Sequence, residues 1–314
     1  MITNRGLRIK LVFVLLAAGL IFVPANRAGA RKEKACDVRD DDAARLLEVG
    51  APAQEGVGGA GVREDEAAPA EIKIVSYNIR WRGGDDLKRL IETLRADKDI
   101  GGAHVIGLQE VDRGRRRSGG VNAARLMADS LGMHYAWAAP PSDGKKEDDR
   151  EAGEDETGVA ILSRFPLADA ERLVLPHYGP GCRRRAGVGA TVSVGGRKIR
   201  VYSLHAETRI DIARKTEQWR APLDSLARRP DITRAVVLGD FNSIKGKDVR
   251  ASRKLFDGAG FTTPFPDDKS TWKTFVVKLK LDWLWLRGLD AASHGIAKHV
   301  KFSDHYPLWV RVKL

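Results

Sequence analysis

From Glu71 onward, apolar residues fall into two rhythms, one of period two and one of period 3.6. Ile72-Lys73-Ile74-Val75-Ser76-Tyr77-Asn78 reads as a strand ending in an amide. Between Asp85 and Ala96, Leu87, Leu90, Ile91 and Leu94 recur at i, i+3, i+4 and i+7, the stripe of an amphipathic helix. His104 to Leu108 predicts a buried strand with Gln109-Glu110 at its end, Val121 to Leu131 a helix, and Tyr135 to Ala138 a strand. Strands are also predicted at Gly158–Leu162, Ala186–Val194 and Lys198–Leu204, the last closed by His205, and a polar-faced helix covers Asp211 to Ala227. Ala235-Val236-Val237-Leu238 has the length and β-branching of a buried strand, and Gly239-Asp240-Phe241-Asn242 follows it. Period-two geometry predicts that Asp240 and Asn242 point the same way. Arg250 to Phe256 predicts a short helix, and Leu281 to Leu286 an alternating strand with Asp282 opposite Trp283 and Trp285. Ser303-Asp304-His305 precedes a last strand, Leu308 to Val312. Strands and helices in this order predict an α/β domain over 71–314.

The chain ahead of it has a different character. Arg5, Arg8 and Lys10 precede an apolar run from Leu11 to Val23, and Ala28-Gly29-Ala30 follows with small residues at the spacing of a cleavage site. Residues 1–30 therefore read as a signal peptide, which implies a secreted or periplasmic protein, or a membrane-anchored one if the signal is kept. The apolar run is short against the roughly 20 residues of a membrane span. Residues 31–70, with Asp40-Asp41-Asp42 and Glu64-Asp65-Glu66, read as a disordered linker in which Ala43 to Val49 has room for a helical turn or two. Ser142 to Glu156 reads as a disordered surface loop.

Composition narrows the partners. The 314 residues carry a formal net charge of +12, which suits an anionic partner such as nucleic acid, a phospholipid surface or a phosphorylated small molecule. Two cysteines, Cys36 and Cys182, exclude a disulfide framework and a cysteine-built zinc site. No protein partner is indicated, and the expected state is a monomer.

Several predicted strands end in a side chain that bears oxygen or imidazole. Asn78 in Ser-Tyr-Asn-Ile, Glu110 in Leu-Gln-Glu-Val-Asp, His205 in Ser-Leu-His, Gly-Asp-Phe-Asn at 239–242 and Ser-Asp-His at 303–305 occur in that order. In this order they resemble the endonuclease/exonuclease/phosphatase superfamily, typified by deoxyribonuclease I, and the resemblance covers about residues 71–314. Thr157-Gly158-Val159-Ala160-Ile161-Leu162-Ser163-Arg164 and Arg117-Ser118-Gly119-Gly120 add to it. The resemblance implies a four-layer α/β sandwich, with two packed mixed β-sheets flanked by helices.

It also implies roles. Glu110 is the expected principal ligand of Mg²⁺ or Mn²⁺, with Asn78 beside it and Asp304 close by. A carboxylate and amide set suits a hard cation. His305 resembles the base that deprotonates water, oriented by Asp282; Asp240 positions the nucleophile and Asn242 holds a phosphate oxygen. His205 contacts the scissile phosphate and protonates the leaving oxygen. In deoxyribonuclease I a glutamate partners this histidine, whereas ungapped alignment places Thr157 there with Glu156 adjacent. Arg113, Arg115, Arg116 and Arg117 follow a metal-ligand strand, so Arg113 and Arg117 are candidates for substrate phosphates, and an ordinary solvated basic loop is an equal reading. Arg185 sits where the superfamily often carries an arginine, and Trp272 is the candidate contact for a base or lipid headgroup.

The expected function is an exported, metal-dependent phosphodiesterase acting on nucleic acid. A phospholipid, sphingomyelin or inositol-phosphate hydrolase is the alternative, although no apolar hairpin of the kind secreted sphingomyelinases insert into membranes is evident. An inactive binding module is the alternative of another class, and the intact motif residues argue against it.

Overall fold

Each strand sorts its side chains onto two faces, and here both faces of two sheets are covered. The computed structural model describes residues 46–52, 69–140, 156–176 and 184–314. The expected signal at 1–30, most of the expected linker at 31–70, both cysteines, and residues 142–155 of the expected loop lie outside the described residues. In chain order the elements are β1 (Leu47–Gly50), β2 (Glu71–Asn78), α1 (Gly84–Ala96), β3 (Val105–Arg113), α2 (Ala123–Leu131), β4 (His134–Ala138), β5 (Glu156–Ser163) and β6 (Leu167–Val174). There follow β7 (Ala186–Val194), β8 (Arg197–His205), α3 (Ile212–Ala227), β9 (Arg234–Asp240) and α4 (Gly246–Gly258). The last elements are β10 (Trp272–Lys273), β11 (Lys278–Leu279), β12 (Asp282–Arg287), β13 (Ala291–Ile296) and β14 (Leu308–Lys313).

One mixed sheet has seven strands in the order β1-β4-β5-β3-β2-β14-β13, and the other has five in the order β12-β9-β8-β7-β6. Their inner faces meet through Ile72, Ile74, Val105 and Ile161 on one side and Val188, Val201, Val236, Leu238 and Leu284 on the other. Helices α1 and α2 lay Leu87, Leu90, Ile91, Leu94 and Met127 on the outer face of the larger sheet, against Tyr77, Ile106 and Leu108. Helices α3 and α4 cover the smaller sheet with Trp219, Leu226 and Phe256 against Tyr202, Val237, Trp283 and Trp285. The result is the four-layer α/β sandwich, with layers ordered helix, sheet, sheet, helix. Gly107 leaves room for Leu238 of the opposite sheet, since a Cβ there would sit 1.9 Å from Leu238 Cδ1. Asn122 caps α2 by accepting from Arg125 N at 3.1 Å, and Asp211 caps α3 in the same way at 3.0 Å.

Two expectations fail at the edge of the larger sheet. Leu47–Gly50 is strand β1, paired antiparallel with β4, and not a helical turn in a tether. Leu46 is buried in the core beside it. Glu48 supplies the polar reason, since its carboxylate accepts from Tyr135 Oη at 2.5 Å and Asn122 Nδ2 at 2.9 Å and pairs with Arg113 at 2.9 Å. Glu156 opens strand β5 rather than closing a loop, and pairs with the same Arg113 at 2.7 Å. The strands β6 and β13, both at sheet edges, have no sequence prediction, because their exposed faces break the apolar alternation.

Removing the Glu48 carboxylate leaves Tyr135 and Asn122 without their acceptor. Glu48→Ala should lower stability by about 1–3 kcal/mol in urea denaturation, with no loss of whatever activity the wild type shows.

Candidate active site

The inner faces of the two sheets are apolar through most of their height and polar at one end. On β2 the inward series Ile72, Ile74 continues to Ser76 and Asn78. On β8 the series Ile199, Val201 continues to Ser203 and His205, and on β9 Val236 and Leu238 are followed by Asp240. Strand β12 runs antiparallel to β9 and starts at this end, with Asp282 opposite Asp240 and Leu284 and Leu286 below it. Strict alternation therefore delivers Asn78, His205, Asp240 and Asp282 into one cleft. Strand β3 arrives out of phase and is corrected by a bulge between Gln109 and Val111, where Glu110 adopts φ +54°. Ser203 bridges the sheets just below, accepting from Gln109 Nε2 at 3.0 Å and donating to Leu108 O at 3.1 Å.

Asp240 lies at the centre. Its Oδ2 accepts from Asn78 Nδ2 at 3.1 Å and faces His205 Nε2 at 3.5 Å and His305 Nε2 at 3.6 Å. Its Oδ1 accepts from Asn242 N at 2.9 Å. The strand ends at Asp240, so the alternation does not carry on to Asn242 as expected: Asn242 has φ +50° and its Nδ2 donates to Ala206 O at 2.7 Å. Gly239 makes the turn possible, because a Cβ there would lie 2.0 Å from Leu204 O.

His305 Nδ1 lies 2.9 Å and 3.1 Å from the two oxygens of Asp282. A carboxylate only accepts, so Nδ1 carries a proton and Nε2 turns toward Asp240. Burial opposes a charged ring, but the carboxylates of Asp282 and Asp240 outweigh it and raise the His305 pKa from 6.5 to about 10. Burial, with Asp282 and Glu110 nearby, pushes Asp240 up to about 7 against the pull of His305. Thr271 Oγ1 fixes Asp282 from below, accepting from the backbone N–H of Leu281 and Asp282.

Two groups of side chains offer themselves to a cation. Asp240, Asp282 and His305 place ligand atoms within 4.8 Å of one another, but Asp282 is committed to His305. Glu110 fits better: its Oε1 accepts from Asn78 Nδ2 at 3.1 Å, and its other oxygen meets no donor within hydrogen-bonding distance among the described residues. Asp304 Oδ2 is held by Trp272 Nε1 at 3.0 Å and Arg80 Nη1 at 3.4 Å. Glu110 with Asn78 offers carboxylate and amide oxygen of the kind Mg²⁺ or Mn²⁺ takes, and Asp304 is linked to this pair through Arg80, whose backbone N–H donates to Asn78 Oδ1 at 3.0 Å.

Residues 75–305 match the pattern of the Endonuclease/Exonuclease/phosphatase family. The chain belongs to this family. Among curated proteins none matches it. Similar solved structures include an endonuclease/exonuclease/phosphatase from Beutenbergia cavernae DSM 12333, 18% identical over 78% of this chain and 72% of that one, with TM-score 0.61. D. rerio TDP2 in complex with a single-strand DNA product is 17% identical over 78% of this chain and all of the other, with TM-score 0.59. A beta toxin structure from Staphylococcus aureus is 15% identical over 76% and 99%, with TM-score 0.54. The fold is the deoxyribonuclease I-like sandwich of the family, and the chemistry of the family is phosphoester hydrolysis.

Against that family frame the other expected residues divide. Trp272 is in the cleft, bridged to His305 through its backbone, with the rings 6.5 Å apart. Arg185 is beside His205, with Nη1 3.3 Å from Nδ1. Arg113 and Arg117 serve the framework instead. Arg113 joins Glu48 to Glu156 and stacks on Trp137, and Arg117 grips buried Asp112 with two bonds of 2.8 and 2.9 Å. Thr157 Oγ1 also bonds Asp112, at 2.6 Å. Lys215, Glu207 and Arg80 have no place in the sequence reading. Lys215 sits on the buried stripe 215, 218, 219, 222 of α3, and a charge on such a stripe is itself a signal. Its Nζ donates to Asn242 O at 2.7 Å and pairs with Asp248 at 3.1 Å, which pins the turn after Asp240.

Because the His305 pKa in the folded chain exceeds its unfolded value, the stabilisation is complete below about pH 6.5 and is lost as pH rises through about 10. In chelator-treated protein, NMR of the His305 ring should show titration well above the ordinary imidazole range, and Asp282→Asn should bring it down. Titration near 6.5 in both proteins would exclude the pairing.

Proposed function

We propose that the chain is an exported, divalent-metal-dependent phosphodiesterase that hydrolyses nucleic acid by in-line attack of an activated water. The convergence of Asp282, His305, Asp240, Asn78, Glu110 and His205 at one end of the two sheets carries the reading. In it, His305 Nε2 takes a proton from water while Asp282 holds Nδ1–H and stabilises the imidazolium that forms. The water oxygen bonds to phosphorus as the opposite P–O bond breaks, and the leaving oxygen takes up a proton. Asp240 orients the attacking water, and Asn242 holds a phosphoryl oxygen with the amide hydrogen that its bond to Ala206 O leaves over. A Mg²⁺ or Mn²⁺ ion at Glu110, Asn78 and Asp304 would supply charge neutralisation on those oxygens and favour the neutral form of His305. Nucleic acid suits the net charge of +12. Export rests on the signal read at residues 1–30, and the working state is a monomer.

A second reading, hydrolysis of a phospholipid headgroup, is favoured by one observation that overturns the expected absence of an apolar hairpin. The β10–β11 hairpin has Phe275, Val276 and Val277 at its tip, with Phe275 fully exposed and Val276 82% exposed. Turns are ordinarily polar. Its shoulders, Lys273 and Lys278, face each other across the strands with no carboxylate in ion-pairing range among the described residues. Its root is Trp272, bonded to Asp304. An apolar tip with lysine shoulders matches an anionic lipid surface.

A panel of plasmid DNA, RNA, sphingomyelin and inositol phosphates, with Mg²⁺ or EDTA, separates these readings. Hydrolysis of DNA or RNA that EDTA abolishes is the expected outcome, and Glu110→Gln should raise the metal requirement at least about tenfold. Full activity after exhaustive chelation would sink the metal assignment. Cleavage of lipid alone, lost with Phe275→Ser and Val276→Ser while a soluble p-nitrophenyl phosphodiester is still cleaved, would replace the first reading by the second. No hydrolysis of any substrate would leave a binding module.

Catalytic coupling is tested separately. His305→Ala should lower kcat by about 10²–10⁴, and the double variant with Asp282→Asn should be little worse, because the carboxylate acts through the imidazole it holds. Additive losses would separate the two residues.

A further inference from the structure

His205 and His305 turn the same atom, Nε2, toward Asp240 Oδ2, but the groups behind them have opposite chemistry. Behind His305 is the carboxylate of Asp282, which accepts a hydrogen bond from Nδ1–H. Behind His205 is Arg185, whose Nη1 lies 3.3 Å from Nδ1. A guanidinium has five N–H donors and no acceptor, so this contact requires a lone pair on His205 Nδ1. The ring proton is then on Nε2, facing the cleft.

Arg185 is itself held. Its Nε donates to Glu207 Oε2 at 3.2 Å. Glu207 is 2% exposed, and its other oxygen accepts from Thr208 N and Thr208 Oγ1, both at 2.9 Å, and from Arg209 N at 3.2 Å. Burial disfavours the charge on Glu207, but Arg185 and these donors overcome it and hold the carboxyl below its usual range. The backbone of Glu207 is anchored by Gln218, which accepts from its N–H at 2.8 Å. Thr157, at the position aligned with the deoxyribonuclease I glutamate, spends its hydroxyl on Asp112 instead.

We propose that Arg185, fixed by Glu207, is a positioning residue that locks His205 in its Nε2–H form, so that His205 enters the reaction as a hydrogen-bond donor to a phosphoryl oxygen. The catalytic part of this statement rests on the phosphodiesterase reading; the tautomer does not. It replaces leaving-group protonation as the task of His205, because a neutral imidazole is too weak an acid to give up its last ring proton. The two histidines thus divide the work, one accepting a proton at Nε2 and the other keeping one there.

The test is long-range ¹H–¹⁵N correlation NMR on protein labelled in the histidine rings, at neutral pH, with and without Mg²⁺. Wild-type His205 should show an unprotonated Nδ1 and a protonated Nε2. Arg185→Met should shift the ring toward Nδ1–H, and Glu207→Gln should do so in part, whereas Arg185→Lys, which keeps a cationic donor, should retain the Nε2–H form. A protonated Nδ1 in the wild type overturns the proposal without recourse to any variant, and so does a tautomer indifferent to Arg185→Met. On a cleaved substrate, Glu207→Gln should cost about 10–100-fold in kcat. His205→Ala should be impaired equally with an alkoxide and a p-nitrophenolate leaving group, since neither oxygen receives its proton from this ring. Rescue by p-nitrophenolate would overturn the donor role. The predicted tautomer in a protein that hydrolyses nothing would uphold Arg185 as the positioning residue and defeat the phosphodiesterase reading alone.

Discussion

The chemistry-bearing end of this protein depends on keeping one carboxylate, Asp240, in a buried place. An ionised carboxylate away from water is costly unless donors surround it. Asn78 Nδ2, the Asn242 N–H and the two histidine Nε2 atoms are arranged about it from strands of both sheets and from the turns beyond them. The turn that supplies the Asn242 N–H needs a left-handed residue and a glycine before it, and Lys215 on α3 holds it shut from outside. The outer helix layer thus has a share in the geometry of the cleft, although it contributes no side chain to it.

Charge in the cleft is arranged so that neighbouring groups of one type behave differently. Asp282 is committed to His305, Asp240 is shared among several donors, and Glu110 keeps an oxygen without a donor among the described residues. Without a cation, the carboxylates hold a proton on His305 that a base must first give up. In the proposed reaction, acid–base function and cation binding would be linked: a positive charge at Glu110 would relieve the same field that raises the imidazole pKa.

The site also extends outward. Asp304 is tied to Trp272, and the strand that begins at Trp272 leads directly into the apolar-tipped hairpin. Thr271, one residue earlier, donates its backbone N–H to Leu279 and accepts at Oγ1 from the N–H groups of Leu281 and Asp282. Whatever surface the hairpin meets is therefore mechanically continuous with Asp304 and with the carboxylate behind His305.

Much of this was legible from residue order alone. Buried central strands such as β2, β8 and β9 announce themselves as apolar runs, and their terminal Asn78, His205 and Asp240 stand out because a polar side chain interrupts the run at its end. The edge elements were not legible. Glu48 and Glu156 look like members of acidic linkers, and only pairing with Arg113 across the sheet gives them a fixed place. The hairpin tip was equally hidden, since Phe-Val-Val reads as an interior strand until the backbone turns there. The partners of the two histidines lay beyond sequence for the same reason. Asp282 and Arg185 come from other strands or the segments before them, and a ring nitrogen donates or accepts according to which group lies within about 3 Å, a distance that only the packed sheets determine.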